Sequence, residues 1–189
     1  MKNVDINKNA RLSEHLTSSS VAALGHSSEL DCSRLTPHFT LAEICKTSVK
    51  TADGNIPSHV HIENLKRLCS WLERLREKSS LTPGPSPKGE GSRYKETPII
   101  INSGYRSPQV NKAVGGAANS NHLTGCAVDI HVNGMEQLLR YAVILLDIAD
   151  EGREEFDELL MERNAKGNYW LHFAVRPEGN RRKIVFLRV

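Results

Sequence analysis

A histidine and an aspartate stand seven residues apart in the stretch Ser120-Asn121-His122-Leu123-Thr124-Gly125-Cys126-Ala127-Val128-Asp129. A second histidine, His172, follows in Tyr169-Trp170-Leu171-His172-Phe173-Ala174-Val175. Two neutral imidazoles and one carboxylate would leave the fourth position of a tetrahedral metal site open, which is the arrangement of catalytic rather than structural zinc. A Zn²⁺ ion there would polarise a carbonyl oxygen and acidify water. The residue types alone also allow a plainer reading, in which His122 caps a loop, Asp129 forms an ion pair and His172 sits in a strand.

The elements around these residues decide whether they can meet. From Cys126 to Val132 apolar residues alternate, so Cys126, Val128, Ile130 and Val132 share one face while Ala127, Asp129 and His131 share the other. In the expected strand Tyr169 to Val175, His172 lies on the face of Trp170 and Ala174, opposite Leu171 and Phe173. Pro98 to Ser103 reads as a buried β-branched strand, and Lys183 to Val189 as a final strand returning as a hairpin after the turn Pro177-Glu178-Gly179-Asn180.

Helices are expected at four places. Thr40 and Glu43 fit a capping box with Phe39 as its staple. After the turn Asn55 to Ser58, apolar residues Ile62, Leu65, Leu68, Cys69, Leu72 and Leu75 recur at helical spacing to about Lys78. Ser107-Pro108 opens a short helix that stops at Gly115-Gly116. From Gly134 to about Asp150, Leu138, Leu139, Ala142, Leu145, Leu146 and Ala149 make one apolar face. Helices mixed with hairpin-joined strands predict an α+β fold, a small mostly antiparallel sheet with helices packed on it.

Residues 1–34, rich in Asn, Ser and Lys, read as a disordered or weakly ordered arm before a domain spanning 35–189. Leu81 to Ser92 holds three prolines and three glycines, so a flexible loop insertion is expected at about 80–96. The formal charge of +3 is too mild to indicate a nucleic-acid partner, and no apolar run approaches a membrane span. Four widely spaced cysteines without a Cys-x-x-Cys pair read as free thiols. Met1 to Asn9 shows no signal peptide, so cytoplasmic synthesis is expected; the chain is expected to be a monomer.

The pattern Ser120-x-His122-x-x-Gly125-x-Ala127-x-Asp129 resembles the signature of the zinc D-Ala-D-Ala carboxypeptidase and L,D-endopeptidase family, peptidase family M15. Ser103-Gly104-Tyr105-Arg106-Ser107 and Trp170-Leu171-His172 resemble two further segments of that family, in matching order and spacing. With the connecting elements, the likeness covers roughly Phe39 to Val175 and is closest to compact, phage-type members. Hedgehog signalling domains share the His/Asp/His layout, so a hedgehog/DD-peptidase-like fold is implied.

The resemblance implies that His122, Asp129 and His172 bind Zn²⁺ and that Arg106 holds a substrate carboxylate or stabilises an oxyanion. Ser103 and Tyr105 would shape the turn, Ser120 would orient the loop or bond to a residue behind the ligands, and Gly125 would allow close backbone approach. His131 is open to either a supporting or a surface role. Many family members carry an acid three residues before the last histidine as general base, where this chain has Tyr169; others carry a histidine two residues before, where it has Trp170. Glu162 is therefore the first candidate for the base, ahead of Glu158 and Asp157. The implied activity is hydrolysis of peptide bonds in peptidoglycan stem peptides, reached either through a phage-type, endolysin-like release system or through an export signal that is not recognisable. The alternative is a zinc-binding but catalytically silent domain that recognises cell-wall peptide or a protein.

Overall fold

The computed structural model describes residues 34–81 and 98–189. The arm expected over 1–34, apart from Arg34, and nearly all of the expected 80–96 insertion lie outside the described residues. The described chain runs α1 (Leu41–Ile44), α2 (His59–Leu81), β1 (Ile101–Ser103), α3 (Pro108–Ala113), a 3₁₀ helix (Asn121–Thr124), β2 (Ala127–His131), α4 (Met135–Gly152), β3 (Glu158–Arg163), β4 (Tyr169–Ala174) and β5 (Lys183–Arg188). Helices and one five-stranded sheet make this an α+β fold.

The strand order is β1-β2-β4-β3-β5, antiparallel except for the parallel pair β3–β5. This corrects two expectations. The segment around Leu159 and Leu160, to which the sequence pattern assigned no element, is a strand that forms a hairpin with β4 through the turn at Asn164–Asn168. Because β2 and β3 already occupy both edges of β4, the final strand cannot return as its hairpin partner. It pairs instead along the free edge of β3, parallel to it. The first strand is also shorter than expected, beginning at Ile101 rather than Pro98.

The core lies on one side of the sheet. Val128, Ile130, Leu159, Leu171 and Phe173 are fully buried there beneath α2 and α4. From α2 come Leu65, Leu68, Trp71, Leu72 and Leu75, with the Trp71 and Phe173 rings 5.3 Å apart. On α4 the buried stripe is Leu138, Tyr141, Ala142, Leu145, Ile148 and Ala149. Leu139, expected in that face, is 49% exposed, since the helix is turned to bring Tyr141 and Ile148 inward instead. Each fully buried Leu or Phe contributes about 1.5–3 kcal/mol, so this layer holds β2 and β4 rigidly in register. That rigidity matters for the opposite face. Cross-strand pairing sets Asp129 against His172, Leu160 against His172 and Glu162 against Trp170, all on the side away from the helices.

Candidate metal centre

The loop before β2 is shaped by local hydrogen bonds. Ser120 caps the 3₁₀ helix, its Oγ accepting from the His122 backbone N–H at 3.3 Å. Gly125 ends that helix in the left-handed region at φ 70°, and a Cβ there would stand 2.7 Å from the His61 carbonyl oxygen. Gly104 lies equally close to the chain, where a Cβ would meet the Ile44 carbonyl oxygen at 2.4 Å. Ile44 accepts the Tyr105 N–H and the His122 carbonyl accepts the Arg106 N–H, each at 3.1 Å. The turn 104–106 is thereby clamped between α1 and the His122 loop.

Three donor groups converge. His122, Asp129 and His172 offer ligand atoms that lie within 4.8 Å of one another, and all three residues are buried. His122 donates Nδ1–H to the Gly104 carbonyl at 2.6 Å, which leaves Nε2 as the lone-pair nitrogen, 3.3 Å from Asp129 Oδ1. His172 turns Nδ1 to the same oxygen at 2.9 Å. The second Asp129 oxygen accepts from Arg106 Nη2 at 2.5 Å, and Arg106 Nε donates to Ser103 Oγ at 2.8 Å. Two imidazole nitrogens and a carboxylate oxygen, with His122 and Asp129 held by hydrogen bonds on their other sides, suit a divalent borderline-soft cation. The donor set therefore fits zinc.

Electrostatics follow from this crowding. Burial alone would raise the Asp129 carboxyl, but the adjoining His122 and His172 outweigh it and hold it far below the usual carboxylate range. Burial likewise opposes protonation of His172, yet the Asp129 hydrogen bond, the nearby Glu158 carboxylate and the charges of Asp129 and Glu162 push its pKa up to about 9. A site whose acids draw a proton to this ring is one where a cation can replace that proton.

The three acidic candidates have different surroundings. Glu162, half-buried across from Trp170 on the ligand face, has its carboxyl raised by burial and by the Asp129 charge, against weaker opposing effects of His172, a Trp170 side-chain hydrogen bond and Arg106. Glu158 faces His172 Nε2 at 3.5 Å and is pulled down to about 2, chiefly by that imidazole. Asp157 is fully buried. Desolvation would raise its carboxyl, but hydrogen bonds from Arg181 and Asn121 and the Arg176 charge hold it below 3.8. Of the three, Glu162 alone has its carboxyl raised rather than lowered, the direction that suits a general base.

The remaining predicted residues lie close by but play different structural parts. Ser103 pairs with Asp129 across β1–β2 and holds the Arg106 guanidinium. Tyr105 is buried against His61, their rings 5.1 Å apart, and so points into the structure behind the turn. Trp170 sits between His131 on β2 and Glu162 on β3. His131 is half-buried, stays outside the ligand group, and has Nε2 3.2 Å from Asn133 Oδ1. Together with Asn102, Tyr169 and Asn168, His131 and Trp170 line a cavity of about 560 Å³.

Sequence reasoning missed Asn55 and Asn121. Buried Asn55 bonds to the Cys45 and Tyr105 carbonyls and accepts the Ser107 N–H at 2.7 Å, locking the turn that carries Arg106. Asn121 donates to Asp157 at 2.7 Å and Glu158 at 3.0 Å. The position of Asn121 beside His122 was the available signal, whereas nothing local marked Asn55.

Residues 91–158 match the family model described as Peptidase M15. The matched segment contains Arg106, His122 and Asp129 and ends at Glu158, before His172. No curated protein matches the chain. Among the described residues, no helix is long and apolar enough to cross a membrane.

Proposed function

We propose that this chain, which belongs to the peptidase M15 family, is a zinc-dependent peptidase that cleaves peptide bonds in peptidoglycan stem peptides. Either a carboxypeptidase releasing a terminal D-Ala or an endopeptidase cutting an internal bond fits the site. The observation that carries the reading is the convergence of His122 Nε2, Asp129 Oδ1 and His172 Nδ1, on the sheet face that also carries the raised carboxyl of Glu162.

When bound, a zinc ion supplies Lewis-acid chemistry, polarising an amide carbonyl and acidifying water. The chain's own residues do the rest. His122 and His172 present lone pairs because Gly104 and the β3 strand hold their rings, and Asp129 presents one oxygen because Arg106 holds the other. Glu162 accepts a proton from water at its carboxylate and delivers it to the leaving amine, replacing the acid that Tyr169 does not supply. Arg106, adjacent to Asp129, adds positive charge where negative charge develops on the substrate. The cavity beside Trp170 and His131 offers room for the peptide.

Defined muropeptides incubated with the zinc-loaded protein and weighed by mass spectrometry test this. Loss of D-Ala or a new internal cut is the expected result. Zinc bound at about one ion per chain without any new fragment would favour the silent recognition domain, and no bound zinc would overturn both readings.

A further inference from the structure

An imidazole that binds a cation through Nδ1 keeps its proton on Nε2, because the neutral ring has one N–H and one lone pair. In His172 that second nitrogen is buried without a hydrogen-bond partner, in a side chain 9% exposed. It faces Glu158 Oε2 at 3.5 Å. The Glu158 carboxylate is itself pinned. Arg181 Nη2 lies 2.8 Å and Lys183 Nζ 3.4 Å from Oε1, and Asn121 Nδ2 donates to Oε2 at 3.0 Å.

Asn121 immediately precedes His122, and its amide also donates to Asp157 at 2.7 Å while its Oδ1 accepts from Arg176 Nε at 3.0 Å. Asp157 is gripped by Arg181 through Nε and Nη2, both at 2.7 Å. One carboxylate on β3 is thus tied to the loop bearing the first histidine and aimed at the ring of the second. A carboxylate already held by two cations and an amide is poorly placed to exchange protons with a substrate. It is well placed to hold a ring still.

We infer that Glu158 is a positioning residue for the metal site, accepting the His172 Nε2–H and, through Asn121, fastening the His122 loop to the His172 strand. This rests on the zinc reading above and separates Glu158 from Glu162, which acts on the proton. Such a partner behind a ligating histidine typically changes metal affinity about 10–100-fold.

The test uses the full chain and Zn²⁺ alone. Competition against a chromophoric chelator should show Glu158→Gln binding zinc about 10–100-fold more weakly than wild type, with Glu158→Asp recovering part of the loss. In zinc-loaded protein labelled with ¹⁵N-histidine, the wild-type His172 ring should carry a slowly exchanging proton on Nε2, and in Glu158→Gln that proton should exchange faster. Circular dichroism checks that each variant is folded. If Glu158→Gln does not fold, the wild-type ring and Glu158→Asp carry the test. A wild-type His172 protonated on Nδ1, or a folded Glu158→Gln with unchanged affinity and exchange, overturns the inference while leaving the zinc reading intact. A wild type that binds no zinc overturns the zinc reading itself.

Discussion

The loop carrying His122 and the strand carrying His172 bring their rings to within 5.0 Å of each other, yet they are held by different kinds of force. The loop is a local construction of a Ser120 cap, a left-handed Gly125 and a backbone carbonyl 18 residues upstream that accepts the His122 proton. The strand is a long-range one. His172 reaches Asp129 across 43 residues of chain because β4 lies between β2 and β3, with Leu171 and Phe173 anchored in the core beneath. The contrast separates tolerance from vulnerability. Single substitutions can distort the loop without unfolding the sheet, whereas the His172 position moves only if the register moves, and a one-residue slip would turn it into the core.

The strongest way to break this comparison is to remove a ligand from each side. His122→Ala and His172→Ala should each abolish tight zinc binding, measured by metal analysis after dialysis, while circular dichroism remains native. Retained zinc in either variant would mean that the two regions do not share one site. Next in size is Glu162→Gln, which should keep its zinc and lose about 10²–10⁴-fold in turnover on a muropeptide. In wild type the same group should set the acid limb of kcat/KM. Because a base works deprotonated and the Glu162 carboxyl is raised, activity should fall as pH drops through a value above 4.5.

Arg106 sharpens the comparison from the loop side. Arg106→Ala leaves the second Asp129 oxygen without its donor, so zinc affinity should drop about 10–100-fold in chelator competition. Arg106→Lys should recover little, since an ammonium cannot bridge Ser103 and Asp129 as the planar guanidinium does. Gly125→Ala should lower unfolding stability by about 1–2 kcal/mol through the left-handed backbone, with more from the approach to His61. An unchanged denaturation midpoint would show that the loop is less locally determined than its geometry indicates. Smallest is an acid effect at Asp157. With its folded pKa lowered, its contribution is full above the ordinary value of 3.8 and is lost as pH falls below that, and Asp157→Asn should flatten this slope in acid unfolding curves.

Much of the architecture was legible from periodicity. The alternation of β2 and β4 and the helical stripe of α2 appear where the pattern put them, because each buries one apolar face against the same core. β3 escaped notice because charged Glu158 and Glu162 flank its apolar residues on the face away from the helices, while Arg163 ends the strand on the other face over the Tyr169 ring. The placement of β5 was beyond any local reading. A turn and a β-rich run suggest a hairpin, but which edge remains free depends on strands already paired.

By itself the sequence determined the identity and order of the donor residues, the faces on which Asp129 and His172 lie, and the glycine and serine needed to shape the loop. These follow from backbone stereochemistry and from alternation, which act over a few residues. Only the tertiary structure decided which nitrogen of each histidine faces Asp129, which of three acids has a raised carboxyl, and which is instead bound up with Arg181, Asn121 and the His172 ring. Those distinctions depend on register and on hydrogen bonds between segments far apart in the chain, where a one-residue shift would exchange one face for the other.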